Sequence, residues 1–174
     1  MEKLISPFII IVFAILLRLA PHPPNVAPIA AMALFGGVYL NKKYALLAPL
    51  AALFVSDLVL GFHNTMPFVY GSFLLTGVIG VWLKNHKNIR YIIAGTFFSS
   101  LLFFIITNFG VWLVGKLYPK TFSGLLESYI LAIPFFRNTL LGDLFYTGLF
   151  FGSYELALYF VQKIHHLCAE DRAR

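Results

Sequence analysis

Arg18, His22, Asn25, Asp57, His63, Asn108, Trp112, Arg137, Asn138 and Asp143 are the side chains of this sequence best suited to fixing charge or hydrogen bonds, and each interrupts or borders a long apolar run. A guanidinium clamps carboxylates and phosphates, a carboxylate accepts from amines and hydroxyls, and histidine and asparagine serve in either role. In hydrocarbon a charge costs on the order of 2.5 to 3.5 kcal/mol at mid-span and less near the interface. Accidental charges would scatter. Here Arg18 stands near the end of the first apolar segment, Asp57 near the end of the third, Asn108 and Trp112 towards the far end of the fifth, and Asp143 near the start of the sixth. At about 1.5 Å per helical residue they share one layer, with His22, Asn25, His63, Arg137 and Asn138 in the connections above it. The layer reads as a substrate-binding site for a small molecule, apolar and aromatic side chains supplying the walls. Plainer roles exist for the same residues: Asp57 pairing with Arg18, and Asp143 with Arg137, as packing ion pairs, and Asn108 and Trp112 as interfacial anchors.

The elements that must position this layer are helical spans. The chain has 174 residues, 60% hydrophobic and 11% charged, with a mean hydropathy of +0.84. That leaves too little polar surface for a soluble globule of its size. An all-α integral membrane protein is predicted, a single domain over 1–174 with six transmembrane helices at about 4–19, 26–40, 44–61, 67–83, 89–117 and 138–161. Pro21, Pro23, Pro24 and Pro28 break the chain between the first two, and such a break survives at membrane depth only against protein or water. The first segment runs into Arg18 and these prolines without a small-x-small cleavage signal, so it reads as a retained helix.

Between the fifth and sixth spans, Pro119 and Pro134 bracket an apolar piece at 123–133, capped by Ser123 and too short to cross about 30 Å of hydrocarbon. Leu125, Leu126, Tyr129, Ile130 and Ile133 fall on one helical face. The spacing predicts a short amphipathic surface helix acting as a mobile lid over 18–25.

Lys3, Lys42, Lys43, Lys84, Lys87, Arg90, Lys163, Arg172 and Arg174 collect at one end of this arrangement, while Lys116, Lys120 and Arg137 lie at the other. The positive-inside rule therefore predicts cytoplasmic termini and a multi-pass chain of the inner (cell) membrane, its polar layer facing out. The net charge of +6 is spread over loop ends and forms no aromatic-interleaved patch, so no nucleic acid is expected as a partner. Cys168 is the only cysteine, excluding a disulfide framework, and the adjacent His165 and His166 point to different helical faces. No metal, cofactor or catalytic residue is expected. Glu155, in the opposite half of the last span beside Tyr154, reads as a helix-to-helix bond.

Four motifs, R-L-x-P-H-P-P-N-x-x-P-I-A-A (18–31), S-D-x-x-x-G-x-H (56–63), T-N-F-x-x-W (107–112) and P-F-F-R-N-x-x-x-G-D (134–143), resemble a family of small, uncharacterised transport-type membrane proteins allied to the substrate-binding S components of energy-coupling-factor (ECF) transporters. The resemblance implies six short helices, capture of a vitamin-like substrate, and outer loops that gate it. It also implies an energy-coupling membrane subunit with ATPases as partner. S components dock there through Ala-x-x-x-Ala on the first helix, whereas here Ala14 is followed four positions later by Arg18.

The expected function is capture and uptake of a small polar metabolite. The sequence carries no G-x-x-x-x-G-K-[ST], so this chain is not expected to hydrolyse ATP, and no H-E-x-x-H or nucleophile elbow points to an enzyme. An intramembrane enzyme built on Asp57, Asp143, His22 or His63, and a non-catalytic assembly factor, are the alternative readings.

Overall fold

The computed structural model describes residues 12–13, 16–18 and 26–172, and of 165–172 the backbone alone. After helical stretches at 12–13 and 16–18 come five helices: α1 Ile29–Tyr39, α2 Lys42–Leu60, α3 Met66–Leu83, α4 Ile89–Val114 and α5 Phe122–Arg172. Turn chemistry sets their ends. Pro28 precedes α1 and its carbonyl accepts the first helical bond from Met32 N at 2.9 Å, a place where proline's missing N–H costs nothing. Gly61 closes α2 at φ +96°, a conformation only glycine adopts without strain. Pro67 opens α3, and Asn88 caps α4 by accepting from Arg90 N at 3.0 Å.

The short helix is the centre of the molecule. Ile29 to Val38 are buried throughout, and α1 packs against α2, α3, α4 and α5, which are joined in turn α2 on α3, α3 on α4 and α4 on α5. Eleven residues make α1 only about 16 Å long. It is shorter than the predicted span 26–40, and at that length it does not by itself reach across a bilayer. Small residues let its neighbours close in: a Cβ on Gly80 would stand 2.7 Å from Leu34 O and 2.9 Å from Ala33 O, so α1 and α3 touch backbone to backbone. Aromatic rings lock its far end to α5, with Phe35 5.5 Å from Phe151 and Tyr39 4.4 Å from Tyr154 between centroids.

Four helices, α2 to α5, are long and apolar enough to cross a membrane by length and composition. Their outward faces carry exposed Phe54, Val59, Val78, Phe98 and Phe145, a surface suited to lipid.

The predicted surface helix at 123–133, separate from a span at 138–161, is overturned. Both belong to α5, a continuous helix of 51 residues with Pro134 inside it, about 76 Å long. Proline removes one internal bond and crowds the carbonyl four residues back, but contacts with α4 hold the preceding turns. Tyr129 Oη donates to Ile105 O at 2.8 Å, and Phe104 lies 5.6 Å from the Tyr129 ring and 4.9 Å from that of Phe136. The N-terminal cap is also different: Thr121 Oγ1, and not Ser123, accepts from Gly124 N at 3.2 Å. An unbroken continuation of the last long helix stands where a discrete surface helix was expected.

Candidate functional site

Asp57, on the inward face of the last turn of α2, is 2% exposed and both its oxygens are occupied. Arg18 Nη2 donates to Oδ1 at 2.8 Å and Tyr70 Oη, from α3, donates to Oδ2 at 2.8 Å. The carboxylate thereby holds the guanidinium, whose side chain is 14% exposed, in one orientation. Asp143 sits on α5, 3% exposed, and accepts from Ser100 Oγ of α4 at 2.6 Å. No ion pair joins it to Arg137, which lies on the surface.

These elements converge on a cavity of about 260 Å³ at the start of α1. Arg18, His63, Thr139 and Asp143 supply its polar lining, and Ile29, Ala30, Val69, Phe73 and Phe103 much of its apolar wall. His63, in the α2–α3 turn, has its Nδ1 2.9 Å from Thr65 Oγ1. A second cavity of about 220 Å³ adjoins the first, sharing Val69, Phe103 and Thr139 and reaching Asn108 and Thr107. A cation backed by its counter-carboxylate, a second carboxyl and aromatic side chains in one cavity lining suit a small molecule with both polar and apolar parts.

The structure thus brings Arg18, His63 and Asp143 to one cavity, puts Asp57 behind Arg18, and leaves Asn108 next door. Asn108 Nδ2 donates to its own helix at Phe104 O, 2.8 Å away. Trp112 lines neither cavity; its Nε1 donates to Pro119 O at 3.0 Å, and Lys120 bonds the carbonyls of Trp112 and Gly115. It pins the α4–α5 turn. Arg137 and the half-buried Asn138 also line neither, and His22 and Asn25 lie outside the described residues. Among the described residues no three His, Cys, Asp or Glu side chains cluster as a metal site.

Sequence reasoning missed Tyr70, Ser100 and Thr139. A signal for Ser100 was present: Thr96, Ser99 and Ser100 put hydroxyls at i, i+3 and i+4 on one face of an otherwise apolar helix. All three are fully buried.

The other end of α1 carries its own polar group. Tyr39 donates to Glu155 Oε1, Lys87 Nζ lies 4.8 Å from the Tyr39 ring centroid, and a cavity of about 560 Å³ opens beside them. The basic residues gather here too, Lys84 Nζ donating to Leu40 O at 3.2 Å.

Long apolar helices around a short buried one, with charged side chains turned inward, define a multi-pass helical membrane protein with an internal polar site. Residues 1–166 match the model of a family of unknown function, DUF6580, and the chain belongs to that family. No curated protein and no solved structure matches the chain.

Proposed function

We propose that the chain is a membrane transport protein that captures a small polar, vitamin-like metabolite at the outer face and mediates its uptake. The observation that carries this reading is the cavity in which Arg18, His63 and Asp143 face one another across apolar walls. Arg18 fixes an acceptor of the ligand, Asp143 engages a donor or a cationic group opposite, and Phe73 and Phe103 hold the body. Asp57 and Tyr70 act behind Arg18 as positioning residues.

In this reading the chain has six spans in the inner membrane with both termini cytoplasmic. The basic end at Lys42, Lys84 and Lys87 supports that orientation, the cavity lying at the opposite end of α1. The family allied to ECF S components remains part of the proposal, supported by the sequence motifs and the inward polar layer. An energy-coupling subunit with ATPases is then the partner to look for, through a contact other than Ala-x-x-x-Ala on the first helix.

The test is mass spectrometry of small molecules released from the purified protein. A metabolite retained by the wild type and lost from Arg18→Gln and Asp143→Ala supports uptake. Absence of any retained molecule, with a co-purifying membrane protein in its place, would point to an assembly factor, and bound metal with turnover to an enzyme.

A further inference from the structure

An ionised carboxylate has about four lone-pair sites, and when buried it draws two or three donors or a paired cation. Asp143, 3% exposed, has one hydroxyl among the described residues, Ser100 Oγ. Among the described residues, its surroundings are apolar or hydroxyl-bearing apart from Arg18 and His63. Towards it α4 presents Ser100 and Thr96, and around the cavity α1 contributes Ile29 and Ala30, α2 Leu60, and α3 Val69 and Phe73. Arg18 and His63 line the same cavity, but the guanidinium is bonded to Asp57 and the imidazole to Thr65, and neither forms an ion pair with Asp143.

The Ser100 hydroxyl has one proton to give. Its oxygen nevertheless lies 2.6 Å from Asp143 Oδ2 and 3.0 Å from Thr96 O. Both contacts are full hydrogen bonds when the carboxyl supplies the second proton, Asp143 donating to Ser100 Oγ and Ser100 donating to Thr96 O. One turn further on, Thr96 Oγ1 lies 3.3 Å from Thr147 Oγ1. Buried hydroxyls are thus spaced along the α4–α5 seam, from the cavity towards the end of the bundle where Tyr39 meets Glu155.

We infer that Asp143 is a proton-binding site at the floor of the cavity, its carboxyl carrying a proton while the cavity is empty. The proton is taken from water in the cavity and is returned to water when the carboxyl ionises, so an O–H bond is all that forms or breaks. The inference deepens the uptake reading, and rests on it only for its use: there the proton is the ion that crosses with the ligand.

Infrared spectroscopy of the purified protein at neutral pH tests this without any ligand. The expected result is a carbonyl stretch of a protonated carboxyl that moves down in D2O, is lost in Asp143→Asn and stays in Asp57→Asn. Ser100→Ala should move the band up, because it removes the acceptor. A folded Asp143→Asn protein with an unchanged spectrum overturns the inference, as does a band abolished by sodium chloride but not by choline chloride at constant pH, which would make the site one for a metal cation. Should Asp143→Asn not fold, a band left unmoved by Ser100→Ala overturns it equally. The uptake reading fails by a different measurement, the absence of a retained metabolite.

Discussion

Gly37 and Gly80 bring α1 and α3 into backbone contact, and a methyl group on either residue would run into main-chain atoms of the other helix. Main chain cannot rotate away as a long side chain can. Gly37→Ala and Gly80→Ala are therefore expected to cost at least about 1–3 kcal/mol each, the range for overpacking a core. Gly71→Ala and Gly152→Ala, whose added Cβ meets nothing within 4 Å, should be neutral or stabilising by up to about 1 kcal/mol. Thermal denaturation of the four variants in detergent checks this, and equal melting points would refute the close contact.

Arg18 and Asp57 should behave as a coupled pair. Asp57→Ala leaves a largely buried guanidinium without its carboxylate, an expected loss of about 1–3 kcal/mol once the partial exposure of Arg18 is discounted. Adding Arg18→Ala should return part of that loss, and a double-mutant cycle measures how much. Tyr70→Phe removes one hydroxyl and should cost about 1 kcal/mol. Strict additivity of the Arg18 and Asp57 changes would argue against coupling.

Continuity of α5 through Pro134 is open to distance measurement. Spin labels at Ile130 and Phe145, both exposed, are separated by fifteen helical steps, a rise of about 22 Å. A single narrow distribution is expected, unchanged by a cell metabolite extract. Two populations would restore a hinge at the proline.

The proposed topology, with the α3–α4 turn on the cytoplasmic side, gives the fourth expectation. In a Cys168→Ser background, Asn85→Cys should resist an impermeant thiol reagent added outside intact cells, whereas Thr65→Cys, at the other end of α3, should react. The reverse pattern would invert the topology and put the cavity on the cytoplasmic side.

Much of this fold could be read from punctuation. Pro28, Asn41, Gly61, Pro67 and Asn88 end or open helices within a few residues of the expected positions, because each acts through its own backbone geometry or cap. The Arg18–Asp57 bond was one of the pairings open from charge and depth. What was not legible depends on neighbours. Pro134 obeys a local rule that Tyr129 and Phe136 override through α4. Asp143 bonds Ser100 and not the sequence-near Arg137, since helix rotation, invisible in composition, turns one inward and the other out. Ile29–Tyr39 reads as one more apolar helix by its content, and only its burial on every side shows that it stands at the centre of the others, a central post.

The shortness of that post has an electrical meaning. A cavity lies at each end of α1, one at Ile29 and one at Tyr39, and the helix between them is about 16 Å long, roughly half the hydrocarbon thickness. Water and mobile ions in the cavities would carry the aqueous potential inward, so most of the membrane voltage would drop along α1. The field there would be about twice the bilayer average, and a charge moved from the level of Asp143 to that of Glu155 would gain or lose most of the ~2.3 kcal/mol per 100 mV available for a full crossing. Voltage would then act on one helix length of this molecule, while the loops outside it feel almost none.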